Sequence, residues 1–228
     1  MFNKYLNDYY KKKIGPSEIC KKEGVQLHDF HLFLKENNHP SRMVVLKGIN
    51  TGIPELDKTL KIKYSSLVNR CRGKATDKYG HYNGLQYMDV FQWKNLCNNN
   101  KDMLAKMWRN YISNNKNLKY AISIDRIDEK EGYVVGNVQF RINGFNSWKR
   151  NLTPIKVDQN GVVSYFMSSE EASRHYGVRR QAIGEILNKI AYHQSDYAVE
   201  LSSYAEVLKN NGVNNLEEYY YKFIDRSD

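Results

Sequence analysis

Up to about Arg42, apolar positions recur at helical spacing. Pro16-Ser17 predicts a helix start, with Ser17 as N-cap and Pro16 just outside it, and Gly24 predicts its end. The amphipathic stretch LHDFHLFLKENN comes next, with Phe30 and Phe33 on its apolar face. Ile19 sits beside the small Cys20, Gly24 comes four residues after Cys20, and Val25 is next to it. A helix-turn-helix needs this set: a small residue where the helices cross, glycine at the turn, and apolar residues to lock the second helix. The pattern recurs near the C-terminus. Ala172-Ser173 match Ile19-Cys20, Gly177 and Val178 match Gly24 and Val25, and Ile183 and Ile186 match Phe30 and Phe33. Ser169 is the expected cap of that helix, with Ser168 as its neighbour.

Between the two copies the pattern changes. Gly48, Gly52 and Pro54 make 46–63 an expected linker or irregular lead-in. Residues 64–118 read as mainly helical, anchored by Phe91, Trp93 and Trp108, with Met103, Met107, Trp108 and Tyr111 on one apolar face taken as core. Residues 153–166 alternate like a hairpin turning at Asn160-Gly161. From Asp196 the chain is acidic and tyrosine-rich, and reads as a packing helix without chemistry. The expected divisions are therefore 1–45, 46–63, 64–151, 152–195 and 196–228.

Composition adds bounds. With 228 residues, 41% hydrophobic and 26% charged, the chain is long enough for a core without staples and has a soluble globular composition. No apolar run approaches the ~18 residues of a membrane span. The N-terminus lacks the apolar segment of a signal peptide. Cys20, Cys71 and Cys97 are scattered and form no C-x-x-C pair, which disfavours both a zinc site and a disulfide framework. A cytoplasmic, reducing compartment is expected.

The net charge is +10. Residues 1–63 hold 12 basic and 7 acidic side chains, 64–151 hold 15 and 7, and 152–228 hold 8 and 11. A polyanionic partner is expected, because neutralising its phosphates releases counterions.

The densest chemistry lies in ISIDRIDEKEGYVVGNVQFRINGFNSWKR, residues 122–150. Ile122-Ser123-Ile124 predicts a strand ending on Asp125. A polar loop runs to Gly132, and a second strand is expected over Val134 to Ile142, with Asn137 inside it. A short helix then carries Asn146, before Trp148, Lys149 and Arg150. A strand–strand–helix of this size can bring Asp125 and Asn146 face to face. A carboxylate and an amide oxygen with open water positions suit Mg²⁺.

At these residues the sequence resembles the HNH nucleases, and most of all the phage-borne and homing endonucleases with the form S-I-D-R-I-D, G-Y, N-V and N-x-x-K. The resemblance covers about residues 64–151 and is sharpest at 122–149. It implies an α+β chain: a central ββα-metal nuclease domain flanked by N- and C-terminal helix-turn-helix DNA-binding modules. It implies Mg²⁺ (or Mn²⁺) held by Asp125 and Asn146, a bracing role for Asn137 toward the loop and the residue after Asp125, and a phosphate contact from Lys149. Residues 153–190 resemble the intron-encoded nuclease repeat module. The first helical pair is similar to recombinase or resolvase DNA-reading helices.

One position departs from the family pattern. The general base there is a histidine directly after the metal-binding aspartate, where this chain has Arg126. A guanidinium stays protonated and cannot take a proton from water. The catalytic set expected is therefore Asp125, Arg126, Asn137 and Asn146, with His81 as the substitute base and Tyr133 behind it. Asp128 is expected to pair with Arg126 or another basic neighbour. DNA contacts are expected from Gln26, His28, Lys149, Arg150, Arg179, Arg180 and Gln181, with His31 and His175 contacting DNA or packing.

The leading expectation is a sequence-directed, metal-dependent DNA endonuclease acting on double-stranded DNA in a bacterial host cell, as a monomer or homodimer. A single motif implies one nick per chain. The alternative is a non-catalytic DNA-binding regulator with a degenerate HNH domain, and an RNA-directed enzyme or splicing factor ranks third.

Overall fold

The structure, a computed structural model, describes residues 1–11, 13–73, 82–188 and 197–224. The chain is α+β and divides into two compact units, 1–143 and 144–228.

The first unit contains α1 (Leu6–Tyr10), α2 (Pro16–Glu23), α3 (Leu27–Glu36), α4 (Arg42–Lys47), α5 (Pro54–Cys71), α6 (Val90–Asn99), α7 (Lys101–Ser113) and the strands β1 (Ile122–Arg126) and β2 (Val138–Ile142). One hydrophobic core runs through it, from Phe2 and Phe30 to Trp93 and Phe140. The first 45 residues thus share one core with α5, α6, β1 and β2. The stretch expected as a linker differs most. Leu56, Leu60, Tyr64 and Leu67 are fully buried, and their spacing of four, four and three makes them one face of α5. The residues that suggested a linker only punctuate it. Gly48 ends α4, Gly52 turns at φ +78°, and Pro54 takes the first helical position, where no N–H is missed. The same rule corrects the start of α2: Pro16 is its first residue and Gly15, not Ser17, its N-cap. On α7 the buried face is turned by one position. Leu104 and Ala105 are buried, Met107 and Trp108 pack at the core's edge, and Met103 is exposed.

The second unit begins within α8 (Asn143–Trp148). β3 (Ile155–Gln159) and β4 (Val162–Phe166) form the expected hairpin. Asn160 and Gly161 both have positive φ, 54° and 84°, as a tight two-residue hairpin turn requires. α9 (Ser169–Tyr176) and α10 (Arg180–Leu187) come next, and then β5 (Tyr197–Leu201), α11 (Tyr204–Asn210), α12 (Leu216–Tyr219) and a π-helical turn at Tyr220–Ile224. The segment expected as a purely helical tail therefore opens as a strand. β5 pairs antiparallel with β3, giving the sheet order β4-β3-β5. Only Val199 of β5 is buried, so the run carried little hydrophobic signal. Ser168, rather than Ser169, caps α9 and accepts the Glu171 N–H at 3.3 Å. Small cores support this unit: one joins Ile155, Val157, Ala172 and Ile183, and another joins Met167, Val207 and Tyr219.

The repeated helical pair is present in both units. α2 and α9 are each eight residues long and end on glycines with φ +69° and +67°. Val25 N–H bonds to Cys20 O and Val178 N–H to Ser173 O, both at 3.0 Å. Phe30 and Ile183 are fully buried at matching positions. Among the described residues no helix is long and apolar enough to cross a membrane.

Candidate active site on the β1–β2 hairpin

β1 and β2 pair antiparallel, with Ile122 opposite Ile142, Ser123 opposite Arg141, Ile124 opposite Phe140, Asp125 opposite Gln139 and Arg126 opposite Val138. Side chains alternate across a strand, so these pairs sort onto two faces. One face is apolar. Ile122, Ile124, Val138, Phe140 and Ile142 are buried there, and Phe140 meets Trp93 edge-on at 5.8 Å. The other face is polar and holds Ser123, Asp125, Gln139 and Arg141. The pattern ISID and VQFR encodes this division.

Asp125 is 4% exposed. Gln139 Nε2 donates to its Oδ2 at 3.1 Å, and Arg141 Nη2 donates to Gln139 Oε1 at 3.0 Å. The two partners are functional candidates that residue spacing alone did not mark. Their signal is the polar alternation of β2, which acquires meaning only with the register.

Asn137, 5% exposed, organises the loop that joins the strands. Its Oδ1 accepts the Asp128 N–H at 2.7 Å, and its Nδ2 donates to Asp128 O at 3.0 Å and Gly132 O at 2.9 Å. Its own carbonyl accepts the Ile127 N–H at 3.0 Å. The bracing thus reaches Ile127, Asp128 and Gly132, and is aimed at the loop. β2 starts at Val138 rather than Val134, because Gly136 turns the chain at φ +88° and commits Asn137 to this loop. Asp128 Oδ1 accepts the Lys130 N–H at 2.8 Å.

Arg126 lies on the face opposite Asp125. Its Nη1 donates to Glu129 O at 2.6 Å and Glu131 O at 2.8 Å, and its guanidinium lies 5.4 Å from the rings of both Tyr82 and Tyr133. The Arg70 guanidinium approaches the same two rings at 5.3 and 5.8 Å. Arg126 therefore serves as a loop clamp. Tyr133 is buried, and burial pushes its phenol up to about 12, so it is no base near neutrality. His81 lies outside the described residues. Gly132 touches the segment before α6 so closely that a Cβ there would stand 2.3 Å from Gln86 O. Tyr133 N–H bonds to Gln86 O at 2.8 Å, and Met88 N–H to Tyr133 O at 3.0 Å.

Asn146 belongs to the second unit, on α8, and is 4% exposed. α8 is anchored there by Trp148, stacked on Tyr219 at 6.1 Å, and by Phe145, edge-on to Tyr220 at 5.5 Å. Lys149 and Arg150 lie just beyond it in a single 3-10 turn, Lys149 half-buried and Arg150 exposed. Among the described residues no three His, Cys, Asp or Glu side chains gather where they could hold a metal. The Asp125 carboxylate is a hard oxygen donor of the kind that Mg²⁺ and Mn²⁺ take, ions that complete their shells with water and phosphate oxygen.

On the helical pairs, Gln26 and His28 are exposed at the start of α3, and Arg179, Arg180 and Gln181 at the start of α10. His31 and His175 are exposed, His175 with its ring 5.2 Å from that of Phe166. Gln26 N–H is held by Asp29 Oδ2 at 2.8 Å. Gln181 Nε2 bonds to Glu185 at 2.8 Å, and Arg180 stands 3.9 Å from Glu170. These exposed contacts are weak enough to be exchanged for a ligand. Cys20, Cys71 and Cys97 are buried free thiols, and burial raises the Cys71 thiol to about 11.

No family model, curated protein or solved structure matches this chain.

Proposed function

We propose that the chain is a divalent-metal-dependent DNA endonuclease of the HNH type, hydrolysing phosphodiester bonds at a directed site. The observation that carries this reading is the buried Asp125 carboxylate, set on the polar face of a short hairpin whose loop Asn137 braces. By the resemblance, Asn146 is the second ligand, and the ion is Mg²⁺ or Mn²⁺. When bound, such an ion supplies positive charge to the scissile phosphate and the departing oxygen. The residues of the chain do the rest. Asp125 contributes the negative ligand, and Asn137 and Arg126 hold the loop rigid. Lys149 and Arg150 contact phosphate. The starts of α3 and α10, with Gln26 and His28 on one and Arg179, Arg180 and Gln181 on the other, approach base edges as reading helices of helix-turn-helix modules. The duplicated helical pair and the basic middle of the chain support a double-stranded DNA partner.

The engagement of Arg126 with the loop favours keeping a second reading, a DNA-binding regulator without cleavage. A supercoiled plasmid pool carrying target selected from random-sequence DNA separates the two. Conversion to open circles with Mg²⁺ but not with EDTA, lost in Asp125→Ala, supports the nuclease. Specific binding with no nicking in either condition supports the regulator.

A further inference from the structure

We infer that Gln139 is a positioning residue for Asp125, itself held in a single amide orientation by Arg141. The inference rests on the proposed reading of Asp125 as a metal ligand. The polar face of the hairpin places the three side chains in the order carboxylate, carboxamide, guanidinium, at 3.1 and 3.0 Å. That order has only one chemically consistent arrangement. A guanidinium only donates and an ionised carboxylate only accepts. The amide between them must therefore turn its oxygen to Arg141 and its NH₂ to Asp125. Arg141 drawing on the amide oxygen polarises the NH₂ and strengthens the bond to the carboxylate.

The apolar face argues that this relay is not what holds the hairpin together. Ile122, Ile124, Val138 and Phe140 are buried on that side and anchor β1 and β2 in the core. Without the Gln139 amide the strands stay in register, while the Asp125 carboxylate loses one of the groups that fix its torsion. Groups that orient a metal ligand in this way typically alter metal affinity by about 10–100-fold when removed. A glutamate at 139 would instead bring a second carboxylate toward Asp125 and repel it.

The test compares the full-length wild type with D125A, Q139L, R141M and Q139L/R141M. Mn²⁺ affinity is read without DNA from the electron paramagnetic resonance of the free ion, and target binding is read in EDTA. Wild type is expected to bind one Mn²⁺ and D125A to lose it. Q139L should weaken Mn²⁺ binding about 10–100-fold, with target binding within about twofold of wild type, since affinity for DNA is spread over many phosphate contacts. R141M should give a smaller loss in the same direction. The double variant should be no worse than Q139L, because Arg141 acts through Gln139. Q139L with wild-type Mn²⁺ affinity, beside a D125A that has lost the ion, overturns the positioning role and leaves the metal reading standing. Equal Mn²⁺ binding by wild type and D125A overturns the metal reading itself and this inference with it. Should Q139L fail to fold, R141M carries the test: weakened Mn²⁺ binding supports the relay, and unchanged binding overturns it.

Discussion

Asn137 closes the β1–β2 loop with three side-chain hydrogen bonds, and Arg126 adds two more to carbonyls of the same loop. Asn137→Ala leaves the Asp128 N–H and the carbonyls of Asp128 and Gly132 short of a partner. The expected loss is about 2–4 kcal/mol in urea unfolding. Arg126→Ala should cost about 1–3 kcal/mol and, on the proposed reading, lower the single-turnover nicking rate at every pH with the shape of the pH–rate curve unchanged, because its part is to hold the loop. Arg126→His is expected to add no new ionisation to that curve. The imidazole would face Tyr82 and Tyr133, across the sheet from Asp125. A rate gain with a titration near pH 6.5 would contradict this orientation. In the second unit, burial raises the Glu171 carboxyl, against the bonds it accepts from Tyr219 Oη at 2.6 Å and Met167 N–H at 2.9 Å. A folded-state value above the unfolded one gives stability that is full below the unfolded value and lost as pH rises through the folded one. Glu171→Gln keeps a donor and an acceptor without the charge. It should raise the melting temperature at neutral pH, with a difference that shrinks near pH 4.

At the scale of elements, the two helical pairs rest on the same local chemistry. A small residue at the crossing, a left-handed glycine and an apolar lock in the second helix occur in both. Open space surrounds the position of a Cβ at Gly24 and at Gly177, so substitution is penalised by backbone conformation alone. Gly24→Ala and Gly177→Ala should each cost about 1–2 kcal/mol, and their effects should add in the double variant, since they lie in separate units. Calorimetry of the three variants measures both points. These pairs were legible in the sequence because their signals are short-range, and so was the β3–β4 hairpin, through Asn160-Gly161. The first half of α5 was not, because Gly48, Gly52 and Pro54 punctuate the chain just ahead of a stripe of buried residues; its second half falls in the stretch from residue 64 that reads as helical. β5 was not, because pairing with β3 is a long-range property and Val199 alone marks it. At the candidate site, Asp125 and Asn137 were visible from their pattern. Gln139 and Arg141 were not, because nothing but strand register reveals which polar residues of β2 stand opposite Asp125.

At the scale of the whole molecule, charge and unit boundaries coincide. Residues 1–143 carry 25 basic and 14 acidic side chains, and residues 144–228 carry 10 and 11. On the proposed reading, charge-driven DNA affinity should therefore belong mainly to the first unit, and site discrimination should draw more on the second. Replacing both Arg179 and Arg180 with Ala should change the slope of log affinity against log salt by at most about 2. If the arginines meet guanines, it should also remove about 1–3 kcal/mol of discrimination per contact. Binding titrations on target and scrambled duplexes at several salt concentrations measure both quantities. The sheet of the second unit has a bearing on how the protein is made. β3 is its middle strand, and its second partner is β5, separated from it by α9 and α10. A ribosome must therefore release about forty more residues after β3 before that edge is covered. Until then Ile155 and Val157 sit on a strand with one side open, the kind of edge on which nascent chains join one another. Messages interrupted between α10 and β5 should yield inclusion bodies, whereas interruption before β3 avoids that hazard altogether.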